Sequence, residues 1–77
     1  MNKKSDFEMA VVSRVKDLRV ARNLSQDDLA IFLDLSRGFI GQIESPRYPS
    51  KYNLNHLNTL AKHFGCSPKD FLPENPL

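Results

Sequence analysis

The chain has 77 residues, and its 11 Lys and Arg against 9 Asp and Glu leave a formal net charge of +2. A chain of this length buries only about 60–65% of the surface that it exposes when unfolded, so we expect one domain whose small core leaves little room for a catalytic cavity. The single cysteine excludes an internal disulfide, and no apolar run approaches the roughly 20 residues that cross a bilayer. With no leader-like segment, we expect a soluble protein of the reducing cytoplasm.

The first predicted helix begins at Ser5, which forms a capping-box pattern with Glu8. Apolar residues then recur at helical spacing, at Phe7, Val11, Val15 and Leu18. The pattern predicts a helix that continues to about Asn23 and has one apolar face, while most of its lysines and arginines fall elsewhere.

Residues 25–44 predict two short helices joined by a tight turn. Ser25 and Asp28 form an acidic capping box for the first helix, and Ser36 can accept hydrogen bonds from the amides that open the second. Both halves carry apolar residues at helical spacing, which are Leu29, Ala30, Leu33, Ile40 and Ile43. This arrangement is a helix-turn-helix, a motif that favours double-stranded DNA as the ligand.

The rest of the chain predicts a loop and two further helices. The segment before Asn53 contains two prolines and no apolar periodicity, which is typical of a loop. Asn53 then caps a helix with an apolar stripe, and a short last helix begins at Ser67 and stops at Pro73. We therefore expect an all-α fold of five helices around one core. The domain would span residues 1–77, with a core of about 5–72 and flexible ends.

Several short stretches together resemble a known family. They are Arg-Val-Lys at 14–16, Arg19, Leu-Ser-Gln at 24–26, Leu-Ala at 29–30, Ser-Arg at 36–37, Gln-Ile-Glu at 42–44, Gly65 and residues 67–72. In order and spacing they are similar to the phage repressor and Cro family, also called Xre-type helix-turn-helix proteins. The resemblance implies a compact five-helix bundle of the lambda-repressor-like DNA-binding type. It also implies a small bacterial or phage transcriptional regulator, a repressor that acts as a homodimer on a partly palindromic operator without a cofactor.

The second helix of the motif has a predicted outward edge, opposite the apolar Ile40 and Ile43. The outward positions are Gly38, Gly41, Gln42 and Ser45, joined by Arg37 from the first turn. We predict base contacts for Arg37, Gly38, Gly41 and Gln42, because arginine suits guanine, glutamine suits adenine and glycine lets the helix backbone approach. The alternatives are a solvated polar edge and two glycines that packing tolerates.

Residues flanking this edge are candidates for phosphate contacts. They are Gln26, Ser36, Ser45, Arg47 and Lys51. The family resemblance implies that Gln26, at a helix start, reaches a phosphate together with free backbone amides. In the loop, Arg47 and Lys51 are candidates for the opposite side of the groove, together with Tyr48 and Tyr52. Solvated loop charges are the alternative.

Three positions bear on how the motif is held. The resemblance implies that Arg19 and Glu44 form an ion pair that links the first and third helices and orients the reading helix. Asp34 stands where the family most often has glycine in the turn, and aspartate tolerates the left-handed backbone better than most residues. The turn is therefore expected to form.

The sequence also leaves open whether the chain binds another protein or a second copy of itself. The motif is acidic, since Arg37 stands against Asp27, Asp28, Asp34 and Glu44. This charge keeps open a second class, a partner-binding module such as an antitoxin that holds a toxin. For a second copy of the chain, the apolar Phe71, Leu72 and Leu77 can form a two-fold contact, or Phe71 and Leu72 instead close the core.

We expect no catalytic residue, no cofactor and no metal site. His56 and His63 lie about 10.5 Å apart along one helix axis, with no acidic or thiol ligand between them. Cys66 is interpreted as a compact, buried or half-buried hydrophobe, and a reactive thiol is the alternative.

Overall fold

The computed structural model describes residues 3–77, and within them the chain forms four α-helices. These are α1 (Asp6–Ala21), α2 (Gln26–Leu33), α3 (Arg37–Glu44) and α4 (Leu54–Phe64), and a short 3₁₀ helix follows at Pro68–Phe71. No strand occurs in this range, which confirms the all-α class. The expected count of five helices is wrong, because the last element does not grow beyond a 3₁₀ turn.

Residues at both ends keep the 3₁₀ helix short. Ser67 caps it by accepting a hydrogen bond from the Lys69 amide at 3.3 Å, and Pro68 occupies its first position. Leu72 then takes an extended conformation, with φ −100° and ψ 140°. A residue that precedes proline disfavours the α region, so Pro73 ends the element after four residues.

Reciprocal capping boxes begin four of the five helical elements. Their N-cap residues are Ser5, Ser25, Asn53 and Ser67. Each box gives partners to backbone donors that a helix start otherwise leaves unsatisfied. The box at Asn53 is less evident from sequence, because its second member is a histidine. The Nδ1 atom of His56 accepts from the Asn53 amide at 3.1 Å, and Asn53 Oδ1 accepts from the His56 amide at 2.7 Å.

The core draws side chains from every helical element. Its completely buried large residues are Val12, Val15, Leu29, Ile40, Ile43, Leu60 and Phe71. Phe71 closes the core and meets Phe64 edge to face, with ring centroids 5.8 Å apart. Leu72 and Leu77 remain exposed, so only Phe71 fills the core-closing role that was considered for it and Leu72. Cys66 is half-buried against the same core, as expected for a compact hydrophobe.

Within residues 3–77, no helix is both long and apolar enough to span a bilayer. In the same range, no three His, Cys, Asp or Glu side chains are arranged to hold a metal ion. The two histidines have separate local roles. His63 stacks on Phe32 with ring centroids 4.0 Å apart, whereas His56 caps α4.

Candidate nucleic-acid interface

The α2–turn–α3 segment presents α3 on the surface of the protein. Asp34 ends α2 with a left-handed backbone, φ 56° and ψ 46°, and the Leu35 amide donates to the Ala30 carbonyl at 2.9 Å. Ser36 Oγ then accepts from the Phe39 amide at 3.0 Å and starts α3. Residues 34–36 therefore suffice to connect the two helices, and aspartate takes the left-handed position in place of glycine.

One side of α3 is buried and the opposite edge is open. Ile40 and Ile43 are completely buried, and this anchors the helix on the core. On the opposite edge Arg37, Gly38 and Gln42 are exposed, while Gly41 and Ser45 are half-buried. The structure thus brings the predicted base-reading residues together on one accessible edge. Phe39, between the two glycines, is half-buried and packs against the core.

The two glycines of this edge are not required by the packing of the protein. A Cβ atom at Gly38 would meet nothing within 4 Å, and one at Gly41 would make an ordinary contact with Gln26 Oε1 at 3.7 Å. Both residues also have ordinary helical backbone angles, since the positive φ values belong to other residues. Glycine costs about 1 kcal/mol relative to alanine inside a helix, so the fold alone does not explain this choice. The result is a stretch of bare helix backbone facing outward.

A buried ion pair joins α1 to the end of α3. The Arg19 guanidinium donates twice to the Glu44 carboxylate, from Nε to Oε2 at 2.9 Å and from Nη2 to Oε1 at 3.0 Å. The Glu44 side chain is only 4% exposed. Arg19 Nη1 also donates to the Leu24 carbonyl at 2.7 Å. This planar, two-point contact fixes the orientation of α3 relative to α1.

Gln26 belongs to the same buried network, which sequence reasoning missed. Its Nε2 donates to Glu44 Oε1 at 3.0 Å, so α2 is tied to α3 through the carboxylate that Arg19 also holds. A side-chain amide has two N–H donors, and one of them remains for an external acceptor. Glu44 therefore holds the amide of Gln26 in place while leaving it a donor.

Arg37 makes a different, exposed contact at the start of α3. Its Nε lies 3.4 Å from Asp27 Oδ1, and both side chains are about two-thirds exposed, at 67% and 66%. Surface ion pairs of this kind contribute little net free energy. Arg37 is therefore held near α2 without being committed to it.

The predicted contact residues of the loop 45–53 differ in their exposure and in their partners. Arg47 and Tyr48 are exposed. Lys51 is turned towards α1, where its Nζ lies 2.6 Å from Glu8 Oε2 and its hydrogen bond lowers the pKa of that carboxyl. Tyr52 is a core residue, only 8% exposed, so its predicted role at the groove is wrong. Burial, with Glu44 nearby, raises the pKa of its hydroxyl well above the ordinary value.

Lys4 is a further residue of this region that sequence reasoning missed. Its Nζ reaches the carbonyls of the loop and of the last turn of α3, at 2.6 to 3.4 Å. No signal in the local sequence couples a lysine near the start of the chain to carbonyls more than thirty residues later. Such a contact exists only once α1 is packed beside α3.

Comparisons with known proteins agree with this geometry. Residues 14–75 match the Cro/C1-type HTH DNA-binding domain family. The chain is also 35% identical over 60 residues to control protein C.BamHI of Bacillus amyloliquefaciens. The aligned residues cover 77% of this chain and 72% of that protein. No solved structure matches the chain significantly. The matched region holds the α2–turn–α3 segment and the Arg19–Glu44 pair, and the resemblance found in the sequence is confirmed. The chain therefore belongs to the Cro/C1-type helix-turn-helix family and is a small transcriptional regulator that binds double-stranded DNA sequence-specifically.

Proposed function

We propose that α3 enters the major groove and reads bases with the edge that runs from Arg37 to Gln42. The observation that carries this proposal is the open edge opposite Ile40 and Ile43, with two glycines that packing does not require. An α-helix with its side chains is about 10–12 Å in diameter, and a major groove about 12 Å wide admits it. The bare backbone at Gly38 and Gly41 allows a close approach to base edges.

Two side chains on this edge supply direct readout. Arg37 leaves its weak contact with Asp27 and donates to guanine, and Gln42 makes paired hydrogen bonds with adenine. Each such contact discriminates against other bases by about 1–3 kcal/mol. Because the edge carries only two long polar side chains, the remaining specificity comes from the shape and deformability of the DNA.

The proposed phosphate contacts surround this edge. Ser36 and Ser45 lie at the two ends of α3, and Gln26 offers the amide proton that Glu44 does not use. Arg47 is exposed in the loop and free to approach a phosphate. Lys51 reaches one only by giving up its contact with Glu8, so its expected contribution is smaller.

We further propose that the chain binds as a homodimer on a partly palindromic operator, because one copy offers a single reading helix. Exposed apolar side chains support a contact between copies. Phe7, Leu54 and Leu72 border one shallow apolar groove, and Leu54 is 83% exposed. In this proposal residues 1–77 act as one DNA-binding domain in the cytoplasm of a bacterium or an infected cell. A dimer that occupies two half-sites blocks other proteins from the same DNA, which favours repression.

Selection of bound sites from a random duplex library tests the proposal. We expect enriched sites with two related half-sites, and Gln42→Ala should relax the preference at one position in each half-site. Asn58→Ala on the exposed side of α4 is the matched control and should leave the selected sequence unchanged. Failure to enrich any sequence, together with no dependence of duplex binding on salt, would favour the protein-binding module instead.

A further inference from the structure

The ammonium group of Lys4 is surrounded by backbone carbonyls. Its Nζ lies 2.7 Å from the Ser45 oxygen, 2.6 Å from that of Tyr48 and 2.9 Å from that of Ser50. The carbonyl of Gln42 is a fourth, longer contact at 3.4 Å. An ammonium has three N–H donors, and the three short contacts use all of them. Lys4 therefore occupies the centre of a carbonyl cage, as a bound cation would.

The loop enclosed by this cage has few other ties. Among the described residues, 46–52 make no backbone-to-backbone hydrogen bond, and Pro46 and Pro49 have no amide to donate. The remaining polar ties involve side chains. They are Arg47 N to Ser45 Oγ at 3.2 Å, Ser50 Oγ to Gln42 Oε1 at 3.4 Å and the Lys51–Glu8 pair. The conformation of this loop thus depends on Lys4 more than on any secondary structure of its own.

The cage also includes the end of α3. The carbonyls of Gln42 and Ser45 lie at the C-terminus of that helix, where the helix dipole places partial negative charge. A cation at this point is favourable. It donates to the Ser45 carbonyl at 2.7 Å, and it makes a longer contact with the Gln42 carbonyl, which also accepts from the Ser45 amide at 3.2 Å. Partial burial lowers the pKa of Lys4, and the neighbouring Glu8 carboxylate opposes that shift.

We propose that Lys4 is a positioning residue for DNA binding, an internal cation that fixes the 45–52 loop against the end of α3. This inference rests on the proposed function, in which Gln42 reads a base and Ser45 and Arg47 contact phosphates. Lys4 touches no DNA in this role. It holds the backbone from which those three side chains project, so that these side chains are ordered before the protein binds DNA.

The test compares Lys4→Met with Lys3→Met in the full chain. Both variants remove one positive charge from neighbouring positions, but Lys3 is exposed and Lys4 is half-buried, so only the first variant empties the cage. Without DNA, ¹⁵N relaxation should give Lys4→Met order parameters below about 0.6 for the amides of Arg47, Tyr48 and Ser50, against about 0.85 in the unchanged chain. Its affinity for the selected operator should fall by about tenfold beyond the loss in Lys3→Met, the factor that one lost charge-assisted hydrogen bond represents. Affinity for random duplex should fall by a similar factor in the two variants, because each loses one charge and an Arg47 side chain on a disordered loop keeps its own.

Lys4→Gln is measured beside them, because its amide can donate to two of the carbonyls. We expect its loop mobility and operator affinity to lie between those of the unchanged chain and Lys4→Met. If Lys4→Met does not fold, the same two measurements on Lys4→Gln decide the matter. The proposal is overturned if the loop of Lys4→Met is as ordered as in the unchanged chain, or if Lys4→Met loses no more operator affinity than Lys3→Met does. Relaxation is measured without DNA, so a failure of the proposed function would appear separately, as an unchanged chain that selects no operator.

Discussion

Two ion pairs hold opposite ends of α3, and they differ in nearly every physical respect. Arg19 and Glu44 meet at 2.9 Å with side chains 11% and 4% exposed, whereas Arg37 and Asp27 meet at 3.4 Å with both side chains about two-thirds exposed. The Glu44 carboxylate of the buried pair links α1, α2 and α3, because Gln26 also donates to it. The exposed pair joins two side chains that are largely in solvent. Burial thus distinguishes a contact that fixes the geometry of α3 from an exposed contact that, in the proposed function, DNA replaces.

Breaking the buried pair should have the largest effect. Arg19→Met leaves the buried Glu44 carboxylate with only the Gln26 amide, so we expect the free energy of unfolding to fall by about 3–5 kcal/mol. Urea denaturation at neutral pH measures this change. The double variant Arg19→Met/Glu44→Leu should recover most of the lost stability, because no buried charge is left unpaired. Normal stability and unchanged operator affinity in Arg19→Met would contradict the role given to the pair.

Substitution of a glycine tests whether the edge of α3 between the two ion pairs contacts DNA. Gly41→Ala should raise the free energy of unfolding by up to about 1 kcal/mol, because alanine favours the helix and its Cβ has room. The same substitution should weaken operator binding by at least about tenfold, since the methyl group holds the α3 backbone away from the bases.

Gly65→Ala is the matched comparison for that prediction. Gly65 has φ 69°, in the left-handed region, so alanine there should destabilise the fold by about 1 kcal/mol. It ends α4, and the operator affinity of the folded variant should not change. The two glycines should therefore give opposite results in thermal melts and in binding titrations, and equal operator affinity for Gly41→Ala and the unchanged chain would argue against a close approach.

Releasing the exposed pair should have a smaller effect. Asp27→Asn frees Arg37 and removes a negative charge beside α3, so affinity for random duplex should rise by about two- to fivefold at low salt. Stability should change by no more than about 1 kcal/mol. Asp17→Asn, on the exposed side of α1, removes the same charge away from α3 and serves as the control. Equal gains in the two variants would show a net-charge effect without a role for Arg37.

Replacing His56, which caps α4, should have the smallest effect on stability. This residue is half-buried, between the two ion pairs in its exposure. Burial lowers the pKa of His56 below its ordinary 6.5, and Nδ1 must be unprotonated to accept from the Asn53 amide. A lowered histidine pKa means that its contribution to stability is complete above pH 6.5 and is lost as pH falls towards the folded-state value. His56→Gln keeps an acceptor that does not titrate. Thermal melts from about pH 7 to about pH 5 should therefore show a shallower loss in the variant, by up to about 1 kcal/mol.

The elements that were predicted correctly rest on interactions between near neighbours in sequence. The capping boxes at Ser5, Ser25 and Ser67 each join residues three positions apart, and the left-handed turn at Asp34 needs only a tolerant side chain. The outward edge of α3 follows from the positions of Ile40 and Ile43 on a regular helix. The type of the last helix was the exception, because the element begins at Ser67 and ends before Pro73 as predicted but forms a 3₁₀ turn and no α-helix.

The errors and omissions at the candidate site concern contacts between distant residues. Tyr52 reads as an exposed loop residue, yet it is buried in the core. Gln26 reads as a free side chain, yet Glu44 accepts one of its protons from eighteen positions away. Lys51 reads as a free charge, yet it pairs with Glu8. Neither spacing nor composition reports such pairs, because each depends on how α1, α2 and the loop pack.

The starts of the helices, the apolar face of each and the polar edge of α3 were predictable from the sequence, since these depend on residues within one or two turns. How that edge is held depends on the packing of distant segments. That packing places Arg19 and Gln26 on one carboxylate and Lys4 among four carbonyls of a distant segment. Each contact joins residues far apart in the sequence, so it forms only after packing has brought their helices and the loop together. The buried Glu44 carboxylate then needs partners, because an unpaired buried charge is costly.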